Sequence, residues 1–263
     1  GEDIKKGLGK KFALTLGIKA AKYEYLLLTD ADCYPKDKDW ISSMAQHFSN
    51  KTIVLGYGAY EKHKGLLNKL VRFDTFQVAM QYFSYALIGK TYMGVGRNLA
   101  YKKSLFFDNK GFATHLHLPS GDDDLFIKEV ATSNNTAISI AHSSHTLSVP
   151  KTTWKSWIRQ KSRHLSTGVY YKSYHKIMLG LWTLSQALFW LLFMALLFWQ
   201  PFLHFIISLF VIRLAVQMLV SYSIMKKLEE KDLIFLYPFL ELLFIIFYFI
   251  FIVNRMINKK RFW

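Results

Sequence analysis

The stretch Tyr25-Leu26-Leu27-Leu28-Thr29-Asp30-Ala31-Asp32 decides the fold class of this chain. Residues 25–29 form a short, unbroken apolar run, which is typical of a strand buried on both faces of a parallel sheet. Asp30 and Asp32 fall where this strand should end, and ligands of open α/β sheets bind at the carboxyl ends of strands. Two carboxylates one residue apart suit a divalent cation held against phosphate oxygens. Taken alone, the pair is explained more simply as an acidic turn.

The neighbouring sequence predicts an α/β fold with a mostly parallel sheet. Apolar residues at helical spacing over 10–22 lead into the strand, and Asp37 or Asp39 can cap the next helix. Thr52-Ile53-Val54-Leu55 then predicts a second strand, which completes a βαβ unit. Two further helices and another strand are expected over 65–90, 122–132 and 137–141.

The composition allows one soluble domain and a membrane part. Of the 263 residues, 52% are hydrophobic and 17% are aromatic, and the net charge is +16. A basic chain can bind nucleic acid, an anionic membrane surface or phosphorylated substrates. The basic residues cluster beside long apolar segments, which favours the membrane and disfavours nucleic acid. Cys33 is the only cysteine, so an intramolecular disulfide is excluded.

Three regions follow from this distribution. Residues 1–150 are expected to form the soluble domain. Residues 151–176 combine Lys and Arg with Trp and Tyr and contain no acid, which is typical of a helix in a membrane interface. Residues 177–263 are expected to hold about three spans and a basic tail, because each apolar segment exceeds the ~18 residues that indicate a spanning helix. The segments are 179–199, 201–225 and 233–253, with buried core helices as the alternative.

Two charged residues fall inside these apolar segments. Arg213 and Glu241 are costly at bilayer depth, so we expect them to pair across neighbouring helices, with a lipid phosphate facing Arg213 as the alternative. Three spans also place the basic tail of residues 255–261 on the side opposite the soluble domain, although basic flanks prefer the cytoplasmic side. Either one apolar segment is re-entrant or the tail breaks this rule.

Two more motifs carry chemistry. Gly121-Asp122-Asp123-Asp124 precedes an apolar helical stretch, where carboxylates are favourable as caps. Three adjacent acids exceed what capping needs, and a nearby cation or a catalytic role would offset their repulsion. Gln160-Lys161-Ser162-Arg163-His164 lies in the basic region, where a charge run facing solvent or lipid headgroups is the simpler interpretation.

In this order the motifs resemble those of the family 2 glycosyltransferases, which are membrane-bound inverting enzymes with a GT-A fold. The DxD motif of that family matches Asp30 and Asp32, and its second acidic motif matches Asp122-Asp123. The segment Gly94-Val95-Gly96-Arg97-Asn98-Leu99-Ala100 is similar to the glycine-rich segment that lines the acceptor and donor-sugar site.

The Gln-x-x-Arg-Trp motif of the family matches less completely. Gln160 and Arg163 are present, and His164 stands in place of the tryptophan. This departure puts in doubt the aromatic platform associated with processive polymer synthases. The first strands of such enzymes, which hold the nucleotide base, are expected before Gly1.

The resemblance implies a set of roles. Asp30 and Asp32 would hold Mg²⁺ or Mn²⁺ at the diphosphate of a nucleotide-sugar. Asp123 would act as the general base on the acceptor hydroxyl, with Asp122 as the alternative base or an acceptor ligand. The donor diphosphate is expected to be bound by Gln160, Arg163 and His164. The residues expected at the acceptor or the sugar are Gly96, Arg97, Asn98 and Asp124.

The resemblance also implies partners and a location. The donor is expected to be a UDP-linked sugar, and the acceptor is a lipid or a glycan. An integral membrane protein is expected, in contact with membrane lipids and with its catalytic domain on the cytoplasmic side of a bacterial inner membrane. We favour a lipid or lipid-linked acceptor, because three spans are few for a translocation channel. A processive polysaccharide synthase and a non-catalytic membrane subunit are the alternatives.

Histidine is a common metal ligand, so the histidines need separate consideration. His142 or His145 could add a third ligand, but ordinary loop histidines are the simpler interpretation, as for His115 and His117. Cys33, beside the DxD motif, is expected to be a packing residue rather than a nucleophile.

Overall fold

The computed structural model describes residues 2–118, 120–198 and 200–257. The strands are β1 (Tyr25–Leu28), β2 (Cys33–Pro35), β3 (Ile53–Gly56), β4 (Gly58–Tyr60), β5 (Leu99–Lys102), β6 (Thr136–Ser139) and β7 (Thr146–Ser148). The α-helices are α1 (Glu2–Ala20), α2 (Trp40–Ala45), α3 (Leu66–Leu87), α4 (Lys103–Asp108), α5 (Asp124–Val130), α6 (Trp154–Ser166), α7 (Ser173–Leu196), α8 (Leu203–Lys227) and α9 (Tyr237–Ile257).

The larger sheet is mixed and has the strand order β1-β5-β3-β6. Strands β1 and β3 both pair antiparallel with β5, so Leu27 and Val54 each lie opposite Ala100. In this sheet the parallel pair is β3 and β6, with Val54 opposite Ala137. The expectation of a mostly parallel sheet is therefore wrong for this sheet, because two of its three described strand pairs are antiparallel. Strands β1 and β3 do run in the same direction, but the non-local strand β5, which has no local sequence signal, lies between them.

The smaller sheet fixes the turn that carries the first acidic pair. Its order is β2-β7-β4. Strand β2 begins directly after Asp32 and pairs antiparallel with β7, which places Cys33 opposite Ser148. Strand β4 pairs parallel with β7 on the other side, with Ala59 opposite Leu147. The acidic turn is thus held by β1 on one side and by β2 on the other.

Helix α3 lies at the centre of the hydrophobic core. Its residues Leu70, Phe73 and Phe76 are completely buried, and the helix packs against both β6 and α9. A second cluster places Trp40 and Met44 of α2 on the opposite face of the larger sheet. The core therefore covers both faces of the sheet and continues into the apolar helices.

Three helical segments are long and apolar enough to cross a membrane by length and composition: α7, α8 and Lys231–Phe251, which ends within α9. The most apolar stretch is 0% buried in α7 and 6% buried in α8, but 33% buried in Lys231–Phe251. The guanidinium of Arg213 on α8 lies 2.9 and 3.0 Å from the two carboxylate oxygens of Glu241 on α9. The predicted pairing of these two residues is confirmed, and Trp190 Nε1 on α7 donates to the same carboxylate at 3.1 Å.

Helix α6 lies in the predicted basic segment and is amphipathic. Trp157 is buried, and Trp154 stacks on Phe247 of α9 with ring centroids 5.4 Å apart. Lys155 and Arg159 are exposed on another face of the helix. One face of α6 therefore packs against α9, and another face forms a basic surface.

Candidate active site

An ammonium group joins the two acidic motifs. Lys10 Nζ lies 2.7 Å from Asp30 Oδ1 and 2.8 Å from Asp122 Oδ2. Partial burial opposes the charge on Lys10, but the attraction of Asp122, Asp123 and Asp30 outweighs this effect and raises the pKa of Lys10. Acids that are distant in the sequence therefore meet around a cation, and that cation belongs to the chain itself.

Helix α1 holds the loop that carries the second acidic motif. Lys11, the neighbour of Lys10, is buried, and its Nζ donates to the carbonyl oxygens of His115 at 2.5 Å and Leu118 at 2.9 Å. Gly121 has a φ of +96°, a conformation that favours glycine and turns the chain into α5. Lys10 thus binds the acids, while Lys11 fixes the loop ahead of them.

Asp123 caps α5 and has a perturbed acidity. Its Oδ1 accepts from the backbone N–H of Asp124 at 2.8 Å, and its Oδ2 accepts from the backbone N–H of Gly96 at 2.7 Å. Burial, followed by repulsion from Asp122 and Asp124, raises the pKa of Asp123 to about 7, against the opposing attraction of Lys10. A side chain at Gly96 would approach Oδ2 to 3.2 Å, so the glycine gives this carboxylate its room.

Asp124 is anchored by protein partners. Its Oδ2 accepts from Thr167 Oγ1 at 2.5 Å and from Tyr171 OH at 2.8 Å, and its Oδ1 accepts from the N–H of Leu125 at 2.8 Å. The predicted sugar- or acceptor-binding residue therefore ties α5 to the segment between α6 and α7. Its contact with a ligand stays a prediction.

Asp30, Asp32 and Cys33 form a group that could hold a metal ion. One ligand atom from each lies within 4.8 Å of the others. Burial raises the pKa of Cys33, and its Sγ lies 2.9 Å from Ser148 Oγ, so the thiol is protonated and occupied at neutral pH. The two carboxylates fit a hard divalent cation. Cys33 is half-buried, and its role as a packing residue stays a prediction.

The histidines considered as metal ligands lie near carboxylates of the protein. His142 Nδ1 and His145 Nδ1 lie 3.7 and 3.6 Å from the carboxylate of Glu229. Burial and the nearby charge of Lys36 lower the pKa of His145 to about 4. His115 Nδ1 lies 3.4 Å from a Glu129 oxygen. Within the described ranges, these contacts explain the three histidines without a metal.

A cavity of about 370 Å³ reaches from the acidic motif to the apolar helices. Asp123 and Ser120 line it at the end near the sheet. Its other end is lined by residues of α7 and α9, among them Leu179, Trp182 and Phe244. The arrangement connects a carboxylate of raised pKa with a surface suited to hydrocarbon.

Helix α6 contributes part of its predicted motif to this cavity. Gln160 and His164 line it, one helical turn apart, together with Lys161. His164 is exposed at the cavity, and partial desolvation there, with the charges of Lys161 and Arg163, lowers its pKa, so its ring is neutral at pH 7. Arg163 is exposed and is not among the lining residues.

Lys161 forms a buried ion pair at the wall of the cavity. Its Nζ lies 2.7 and 2.8 Å from the two carboxylate oxygens of Asp74 on α3. The ammonium also lies 5.3 Å from the ring of Tyr248 on α9. These contacts join α6, α3 and α9 at the cavity. No sequence motif predicted that Lys161 and Asp74 would pair.

The glycine-rich segment places its residues unequally. Arg97 lines the cavity, with its guanidinium 4.3 Å from the ring of Tyr60. Asn98 is completely buried, and its amide binds the carbonyl oxygens of Tyr57 at 2.9 Å and Ser144 at 2.6 Å. Asn98 therefore supports the site from behind rather than facing the cavity.

The family of the chain follows from comparison with known proteins. The model of glycosyl transferase family 21 matches residues 3–260. Because this match covers almost the whole sequence, the chain belongs to glycosyl transferase family 21. The expected resemblance to glycosyltransferases is confirmed at that level, with family 21 rather than family 2 as the matched family.

Solved structures give a weaker likeness. One of those that match is the mannosyltransferase PcManGT from Pyrobaculum calidifontis, in complex with GDP-Man and Mn²⁺, at 18% identity and a TM-score of 0.41. The match covers 60% of this chain and 41% of that chain, so the present chain spans less than half of the neighbour's length. No curated protein shows a significant match.

Proposed function

We propose that this glycosyltransferase moves a sugar from a nucleotide-sugar to a hydroxyl of a lipid or lipid-linked acceptor. The observation that carries the proposal is the cavity between Asp123 and the apolar helices. An acceptor with a polar head and a hydrocarbon chain matches both ends of this cavity, since its hydroxyl reaches the acid while its chain stays among Trp182 and Phe244.

Asp123 is the proposed general base. Its pKa of about 7 is close to that of a base that works best near neutral pH, because such a group is ionised yet basic enough to take a proton. The N–H groups of Gly96 and Asp124 fix the carboxylate. The proton moves from the acceptor hydroxyl to Asp123, the oxygen bonds to the anomeric carbon, and the nucleoside diphosphate leaves from the opposite face, which inverts that carbon.

Asp30 and Asp32 are the proposed ligands of Mg²⁺ or Mn²⁺, and a bound metal would neutralise charge on the leaving diphosphate. Gln160 and His164 line the cavity of Asp123, whose described lining does not include Asp30 or Asp32. They are proposed to contact the donor, with Arg163 reaching the diphosphate by rotation of its long, exposed side chain. A UDP-linked donor stays a prediction. A cytoplasmic catalytic face, in a bacterial inner membrane, is part of the same proposal.

Transfer by isolated membranes tests the proposal. Membranes that contain the full protein are incubated with labelled UDP-sugars or GDP-sugars and Mn²⁺, and products are separated into organic and aqueous phases. We expect label in the organic phase and a loss of roughly 10²–10⁴-fold for Asp123→Asn, the usual contribution of a general base. Asp108→Asn, at an exposed position, is the matched control.

Two other outcomes would replace this proposal. Long, water-soluble labelled chains would establish a processive polysaccharide synthase. Equal transfer by Asp123→Asn and by the control would show that the acidic motif is structural, as in a non-catalytic membrane subunit.

A further inference from the structure

Helices α7 and α8 form an antiparallel hairpin. The position of a residue along this hairpin indicates its distance from the catalytic domain. The rings of Phe193 and Phe210 stack at 3.8 Å near its tip, and Gln186 bonds with Arg213 halfway along. The catalytic domain marks the other end, because Glu230, just after α8, accepts from Arg72 Nε of α3 at 2.8 Å. Residues 173 and 227 therefore lie near the catalytic domain, and residues 197, 198 and 200–202 lie at the far tip.

The first turn of α9 lies against the middle of α8. Gln217 of α8 donates to Tyr237 OH at 2.8 Å and also to the carboxylate of Glu241, which Arg213 binds at 2.9 Å. Tyr237 and Glu241 therefore share a partner on α8, although they lie one turn apart on α9.

Further along α9, the contacts do not move towards the hairpin tip. Glu241 binds Trp190 of α7, but Phe244 lies against Trp182, eight residues nearer the start of α7, with ring centroids 6.5 Å apart. Phe251 then contacts Trp157 of α6, a helix that precedes α7, at 5.8 Å. A helix aligned with the hairpin would instead lie about 15 Å nearer the tip at residue 251 than at residue 241.

We propose that α9 does not cross the bilayer but lies along it, beneath the catalytic domain and across the α7–α8 hairpin. Helices α3 and α6 cover one side of α9, as the contacts of Phe73 with Tyr237 and Phe244 show. Another side of α9 is apolar and exposed. Its residues are Phe239, Ile246, Phe249 and Ile250. The occupant of this surface is the hydrocarbon of the leaflet on the catalytic side.

In this arrangement α9 does not lead to the side of the membrane opposite the catalytic domain. The sequence carries Arg255, Lys259, Lys260 and Arg261 after α9 has passed beneath α6. Basic segments prefer the cytoplasmic side of a membrane, which is also the proposed side of the catalytic domain. Two membrane crossings therefore satisfy the positive-inside rule, whereas three crossings would break it.

Labelling of single cysteines in sealed vesicles tests the proposal without requiring turnover. In the full chain with Cys33→Ser, cysteines are placed at Lys38→Cys in the catalytic domain, at Phe198→Cys near the hairpin tip, or after Trp263. A membrane-impermeant maleimide is added before or after the vesicles are opened with detergent. We expect the cysteine after Trp263 to label from the same side as Lys38→Cys and from the side opposite Phe198→Cys.

Each remaining outcome overturns the proposal. If the cysteine after Trp263 labels together with Phe198→Cys, α9 crosses the bilayer. If Lys38→Cys and Phe198→Cys label from the same side, the α7–α8 hairpin does not cross the bilayer, and the depth assigned to α9 is wrong. Complete labelling of all three variants in detergent is the control for access of the reagent.

Discussion

At the scale of single residues, the charge on Asp123 governs the proposed reaction. Its raised pKa results from burial and from Asp122 and Asp124, and it leaves the carboxylate protonated in a large share of molecules just below neutrality. We expect kcat/KM for sugar transfer to fall tenfold per pH unit below about 7 and to level off above it. Initial rates between pH 5.5 and 9 check this, and a rate that is flat down to pH 5.5 would exclude Asp123 as the base.

A second prediction at the scale of single residues concerns Lys10. Its positive charge lowers the pKa of Asp123 and so opposes the effect of burial. In Lys10→Met the attraction that favours the ionised carboxylate is lost, so the pKa of Asp123 rises further and the acidic limb of kcat/KM moves to higher pH. In Lys10→Arg the charge is kept, and we expect the limb to stay near that of the original protein. The same limb in both variants would show that Lys10 serves only to hold the loops together.

At the scale of elements, the ion pair between Lys161 and Asp74 joins α6 to α3. Both side chains are buried, so Lys161→Met leaves an unpaired carboxylate among apolar groups, at a cost of roughly 3–5 kcal/mol. We expect a lower thermal unfolding midpoint in detergent for this variant, and partial recovery in the double variant Lys161→Met with Asp74→Leu. Lys155→Met, on the exposed face of α6, is the matched control. Equal midpoints for Lys161→Met and the control would contradict this.

At the scale of the whole molecule, Arg213 and Glu241 attach the membrane hairpin to α9. Glu241 is 2% exposed, and its carboxylate binds groups from both helices of the hairpin. In Arg213→Met the carboxylate loses its cation in an apolar setting, and we expect a decrease in stability of roughly 3–5 kcal/mol. Unfolding in detergent, followed by circular dichroism of the helices, measures the change. A midpoint equal to that of His204→Ala, near the hairpin tip, would show that the pair contributes little.

Several features were determined by the sequence alone. The apolar run before Asp30 predicted β1 and the acidic turn correctly. Its predicted burial on both faces is wrong, because β1 is an antiparallel edge strand with half-buried and exposed residues. The apolar segments gave α7, α8 and α9, and the cost of charge among them gave the partner of Arg213. The three ordered motifs gave the glycosyltransferase resemblance, because chemistry restricts which residue types stand at each position.

Only the tertiary structure decided the rest. The insertion of β5 between β1 and β3, the place of Lys10 between Asp30 and Asp122, and the pairing of Lys161 with Asp74 join residues from 20 to more than 100 positions apart. The course of α9 is a further case, since hydropathy measures length and composition but not direction. Local patterns record which surfaces are buried, whereas the choice of partner depends on how all elements pack at once, and the site with its cavity exists only after that packing.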